Sequence, residues 1–113
     1  RTTVLYEVEN NSAQKLPAKK IGSFVTCEQF NNCAVTSADI SPNKDKVAIL
    51  SSDKVWIFTN WKDNNFLSGN VEKIELNHFT QKEGLCFKDE NTILMTDEGG
   101  KKQMGNLYQL KLK

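Results

Sequence analysis

The chain has 113 residues, the length of one ordinary domain. Its 15 Lys and Arg nearly cancel its 14 Asp and Glu, and a net charge of +1 lacks the basic excess that counterion release from nucleic acid requires. No run approaches the roughly 18 apolar residues of a membrane span, and no basic amphipathic helix is visible, so nucleic acid and a membrane span are set aside.

Position 1 is Arg1, with no charged-then-apolar leader behind it. The expectation is a processed or excised piece from which any export signal has been lost. Strands are predicted first over 3–9 and 18–25, where β-branched and aromatic residues cluster between turn formers. The stretch VTSADISPNKDKVAILSSDKVWIF, from Val35 to Phe58, reads as three strands, 35–41, 46–52 and 54–60. A Pro-Asn-Lys-Asp turn and a tight Ser-Asp-Lys turn join them. Val47, Ile49, Val55 and Ile57 alternate with small or polar neighbours, as half-buried strands do. Further strands are predicted over 71–77, 83–88, 91–97 and 105–112. Helical periodicity is not sustained anywhere. The links at 10–17, 26–34, 61–70 and 99–104 are rich in Asn, Gly, Lys and Asp and are expected at the surface.

Similar segments recur. VLYEV from Val4, VWIFT from Val55 and NLYQL from Asn106 share an aromatic-aliphatic core, with Leu5, Trp56 and Leu107 each 51 positions apart. A spacing of about 45 to 50 residues with four strands per unit is that of a β-propeller blade. The predicted fold class is therefore all-β, about two four-stranded antiparallel meander sheets packed as propeller blades. The whole of 1–113 forms a single partial unit. It holds the third and fourth strands of one blade over 3–25, a complete blade over 35–77 and three strands of the next over 83–112. Propellers close with about four to eight blades. The expected partners are thus the remaining blades of a longer parent chain, or other copies of this one, since bare faces and edges invite association.

Few residues suggest chemistry. Asp39 and Glu83 each sit at the start of an innermost strand, just before apolar residues. Two carboxylates from neighbouring blades could hold calcium, which takes six to eight oxygens, or could accept hydrogen bonds from main-chain amides and tie down the strand starts. Glu98, in DEGG ahead of two lysines, is either a third such carboxylate or part of a solvated turn. His78 is the sole histidine, either a recognition residue or a hydrogen-bonded loop residue. Trp56 is expected in the core. Trp61 either caps a blade edge or offers a ring to a sugar or a partner. Cys86, between Leu85 and Phe87, is expected to be a buried small hydrophobe. Cys27 and Cys33 flank a polar loop and either pair in an oxidising compartment or stay free. A single histidine argues against structural zinc, and no Gly-x-Ser-x-Gly elbow is present.

The segment from Val35 onward, about two thirds of the chain, resembles a group of bacterial propeller proteins without assigned activity, exported or lipid-anchored and many of them from Bacteroidetes. The resemblance is carried by Val35, Thr36, Ala38, Asp39, Ser41 and Pro42, then by Gln81, Glu83, Leu85 and Glu98. It implies an extracytoplasmic location, periplasmic, surface or secreted. More loosely the chain is similar to phytase-like and lactonase-like propellers, whose Glu-Gly inner strands can supply calcium ligands. The expected function is a non-catalytic binding module for a small molecule, a glycan or a protein. The alternative is a calcium-assisted, phytase-like or esterase-like hydrolase segment using Asp39, Glu83 and Glu98.

Overall fold

Alternating apolar residues dictate a fold of antiparallel strands, each pairing with the next in the chain. The structure is a computed structural model that describes residues 1–10, 15–28 and 33–113. Among the described residues there are nine strands: β1 (Thr2–Glu7), β2 (Lys19–Val25), β3 (Ser37–Ile40), β4 (Lys46–Leu50), β5 (Lys54–Thr59), β6 (Asn70–Glu75), β7 (Lys82–Asp89), β8 (Thr92–Asp97) and β9 (Leu107–Lys111). They form a first sheet β1-β2, a middle sheet β3-β4-β5-β6 and a last sheet β7-β8-β9, antiparallel throughout. The all-β, antiparallel architecture is as expected, in sheets of two, four and three strands, of which the middle one is complete. Among the described residues no closed barrel or ring of sheets is present. Parts of the links expected at 10–17 and 26–34 lie outside the described residues.

The middle sheet is apolar on both faces, which is why it must be covered twice. Cross-strand neighbours share a face. Ala48 stands opposite Ile57 and Leu50 opposite Val55, and these four pack with Leu85, Ile93 and Met95 of the last sheet. On the other face Val47 stands opposite Phe58 and Ile49 opposite Trp56. These pack with Phe24 of β2, whose ring meets Trp56 and Phe58 edge-on at centroid distances of 5.7 and 5.2 Å. Aromatic pairs favour this geometry because the positive ring edge meets the negative face. One face is thus mainly aliphatic and the other aromatic.

The link between β5 and β6 is more than a surface loop. It contains a 3₁₀ turn, Phe66–Ser68, whose Phe66 and Leu67 pack against the aromatic face. Asn60 and Asp63 take φ of 55° and 53° on the way, a left-handed conformation that Asn and Asp tolerate. Gly69 closes the loop so tightly that a Cβ would lie 2.1 Å from the Thr59 carbonyl oxygen. No side chain fits there.

Cys27 and Cys33 are joined by a disulfide with Cα atoms 6.0 Å apart, and Cys33 is buried. Cys86 departs from expectation: it is exposed. Its neighbours Leu85 and Phe87 face the middle sheet, so strand alternation turns Cys86 to the uncovered side of the last sheet. Among the described residues no helix is long and apolar enough to cross a membrane.

Leu50→Ala is expected to cost about 2–5 kcal/mol of unfolding free energy in a denaturant titration, as deletion of a fully buried leucine does. Leu107→Ala, at a side chain 69% exposed, is expected to change it by no more than about 0.5 kcal/mol. Equal losses at the two positions would contradict the packing.

Candidate functional site

Asp39 and Ser37 lie two apart on β3, opposite Ala48 and Leu50, so both point at the last sheet. There they meet β7, an edge strand with pairing on one side only. The main-chain N–H of Phe87 donates to Asp39 Oδ2 at 2.8 Å, and that of Leu85 donates to Ser37 Oγ at 3.1 Å. Asp39 Oδ1 accepts from Ile40 N–H at 2.9 Å. An edge strand buried against another sheet needs acceptors for its unpaired amides, and these side chains supply them. Both oxygens of the Asp39 carboxylate are engaged with main chain.

The other two candidate carboxylates are placed differently. Glu83 is exposed on β7, and its side chain makes no hydrogen bond or ion pair among the described residues. Glu98, just past β8, is exposed and is anchored through its N–H to the Gln81 carbonyl at 2.8 Å. Among the described residues no three His, Cys, Asp or Glu side chains converge as a metal-ligand group. The structure therefore does not gather Asp39, Glu83 and Glu98 into one acidic set.

What sequence reasoning missed is Lys82, the first residue of β7 and fully buried. Its Nζ donates to the Ser52 carbonyl at 2.9 Å and to Thr80 Oγ1 at 2.9 Å, and it meets His78 Nδ1 at 3.1 Å. An ammonium has three hydrogens, and three potential acceptors surround it. Burial pushes the Lys82 amine below its ordinary value, opposed by the charges of Asp97 and Asp53. The His78 ring stacks on Tyr108 at 4.9 Å, and Lys82 Nζ lies 5.4 Å from the same ring's centroid. Tyr108 in turn donates its hydroxyl to Asp97 Oδ2 at 2.6 Å. His78 is thus built into a network, with its exposed side against a shallow hollow lined by Asp53, Glu75 and Phe79. A Gln-Lys-Glu-Gly run gives no sign of this, since lysines are rarely buried.

Trp61 is half-buried. Its ring meets Phe66 edge-on at 5.1 Å and packs against the aromatic face, while it also borders a small hollow with Lys44, Asp45 and Asn60.

The least expected feature is an apolar groove of about 350 Å³ between the first and middle sheets. Leu5 of β1 borders it on one side, Ala38, Ile40, Val47 and Ile49 form its floor, and Phe66 and Leu67 close its end. It exists because the two-stranded first sheet covers the β5 half of the aromatic face and leaves the β3 half bare. On β3 the side chains facing the last sheet are half-buried, whereas Ala38 and Ile40, facing the groove, are exposed. The missing cover left no mark in the local pattern of residues, which reads as an ordinary strand.

Asp97 sets a pH test. The Tyr108 hydroxyl, then the Asn106 N–H, hold its carboxyl down from 3.8 to about 2. A carboxyl depressed by folding contributes fully above its unfolded value and progressively less as the pH falls from about 3.8 towards about 2. The chain's Tm should therefore fall more steeply across that window than the Tm of Asp97→Asn, and superimposable curves would contradict the network. Compared with protein-family models, with curated proteins and with solved structures, the chain matches none.

Proposed function

We propose that this chain is a run of β-propeller blades that serves as a non-catalytic binding module. The observation that carries the reading is the apolar groove beside β1, a concave, unpaired surface of the kind that recognises a partner. Antiparallel sheets stacked face to face in chain order support the blade reading. Its free faces call for more of the same, supplied by the remaining blades of a longer polypeptide or by another copy. The ligand class is a protein, a glycan or a small molecule, and the Cys27–Cys33 disulfide fits an oxidising, extracytoplasmic setting.

Asp39 separates this reading from a calcium-assisted hydrolase. Its carboxylate serves the main chain of Ile40 and Phe87, so its work is structural. Asp39→Ala is expected to cost about 1–3 kcal/mol, the penalty for stranding partly buried donors. Calcium and a chelator should leave the Tm of the wild-type chain unchanged. A calcium-dependent rise of several degrees that chelation reverses would overturn the module in favour of a metal-dependent enzyme.

A further inference from the structure

Consecutive residues on the link between β6 and β7 hold chemistry that the fold does not spend. His78 meets Lys82 through Nδ1, and among the described residues its Nε2 has no partner. Asn77 turns the chain with a φ of 58°, and its side-chain amide makes no hydrogen bond among the described residues. The Phe79 side chain is 56% exposed. With Asp53 and Glu75 these residues line a hollow of about 340 Å³, room enough for a small ligand. All of them lie on the four-stranded middle sheet, its β4–β5 turn or its link to β7. The walls are therefore complete within the described strands.

The link that carries them is held firmly. Leu76 N–H donates to the Asp53 carbonyl at 2.9 Å, while Lys82 Nζ donates to the Ser52 carbonyl and to Thr80 Oγ1. The same Nζ reaches the His78 ring, which is stacked on Tyr108. Burying an ammonium is costly, and an apolar side chain of like volume would join two sheets more cheaply. What Lys82 adds is a fixed imidazole. A group already held in place binds a ligand with less loss of freedom.

The charges choose the ligand. Asp53 lies 2.7 Å from Lys54 Nζ, and Glu75 lies 3.7 Å from Lys54 Nζ and 3.1 Å from Lys73 Nζ. Both carboxylates are balanced, so the hollow offers little to an ion, yet their oxygens still accept hydrogen bonds. A wholly apolar ligand would cover Phe79 and strand the polar rim. A sugar ring meets both demands. It lays a C–H face on the aromatic ring, and its hydroxyls donate to the carboxylates and exchange hydrogen bonds with Asn77 and His78. We infer that the hollow is a binding site for a neutral saccharide, with Phe79 as its platform and Lys82 as the residue that positions His78. This deepens the binding-module reading and rests on it, naming a site and one ligand class.

N-acetylglucosamine, galactose, mannose and maltotriose, each titrated into the isotopically labelled chain, are the probes. At least one should shift the amide signals of Asn77, His78 and Phe79. Phe79→Ala and His78→Ala, both at exposed positions, should each weaken that binding by about tenfold. Leu107→Ala, on the outer face of the last sheet, should leave it unchanged. Lys82→Met should also weaken binding, and it should move the His78 ring-nitrogen resonances towards those of free imidazole, because a hydrogen bond on one nitrogen sets the state of the other. No shift with any of these sugars, or binding that Phe79→Ala and His78→Ala both leave intact, overturns the inference. Unaltered His78 ring resonances in Lys82→Met overturn the positioning role. A chain that ignores every sugar and also ignores calcium loses this site alone, and the binding-module reading survives.

Discussion

An edge strand packed against another sheet has amides that water cannot reach and no neighbour to receive them. β7 resolves this at Leu85 and Phe87 by borrowing side-chain acceptors from β3, and its first residue adds a side-chain tie. Lys82 reaches the Ser52 carbonyl, Leu85 N–H finds Ser37 and Phe87 N–H finds Asp39. In the turn beyond, Glu90 accepts from the N–H of Asn43. Each such bond contributes a net of about 0.5–1.5 kcal/mol. Burial of one large aliphatic side chain is worth about 1.5–3 kcal/mol, and Leu50, Val55 and Ile93 are all fully buried at the same interface. Apolar burial therefore supplies most of the stability. The hydrogen bonds fix where β7 sits, because sliding it by one residue would strand the Leu85 and Phe87 amides together.

The opposite face follows another logic. No comparable row of hydrogen bonds joins the first sheet to the middle one among the described residues. The contact is chiefly aromatic, Phe24 on Trp56 and Phe58, with Asn64 bonded to Glu7 at the rim. Among the described residues β1 and β2 cover only part of this face. The groove is the geometric remainder of two strands laid on four. Where the last sheet has β7 tied to β3, the first sheet has only the free edge of β1.

Much of this architecture was legible in the residues. Period-2 alternation around Val47, Ile49, Val55 and Ile57 signals paired strands, because a strand buried on one or both faces needs β-branched and aromatic residues at that spacing. Asp39 was visible as a residue of interest and as a tie for main-chain amides. Its partner Phe87 was not, since 48 positions of chain separate them and no local pattern encodes such a pairing. Cys86 was misread because an apolar neighbourhood in sequence does not say which side of a sheet lies open. Lys82 and the inward turn of Phe66 and Leu67 were missed for a related reason. Composition marks a loop or a charge as solvent-exposed, and tertiary packing overrode it in both cases.

Everything rests on a middle sheet covered on both faces at once, so that it folds and unfolds with its two neighbours. Trp56 on one face and the β8 amides behind the other report the two covers separately. In a Trp61→Phe background, Trp56 emission and β8 hydrogen exchange can be followed through a single denaturant titration. Blue-shifted native emission and coincident midpoints are the expected result. Emission at the wavelength of a solvated indole without denaturant, or β8 amides that stay protected after the Trp56 signal is lost, would contradict it.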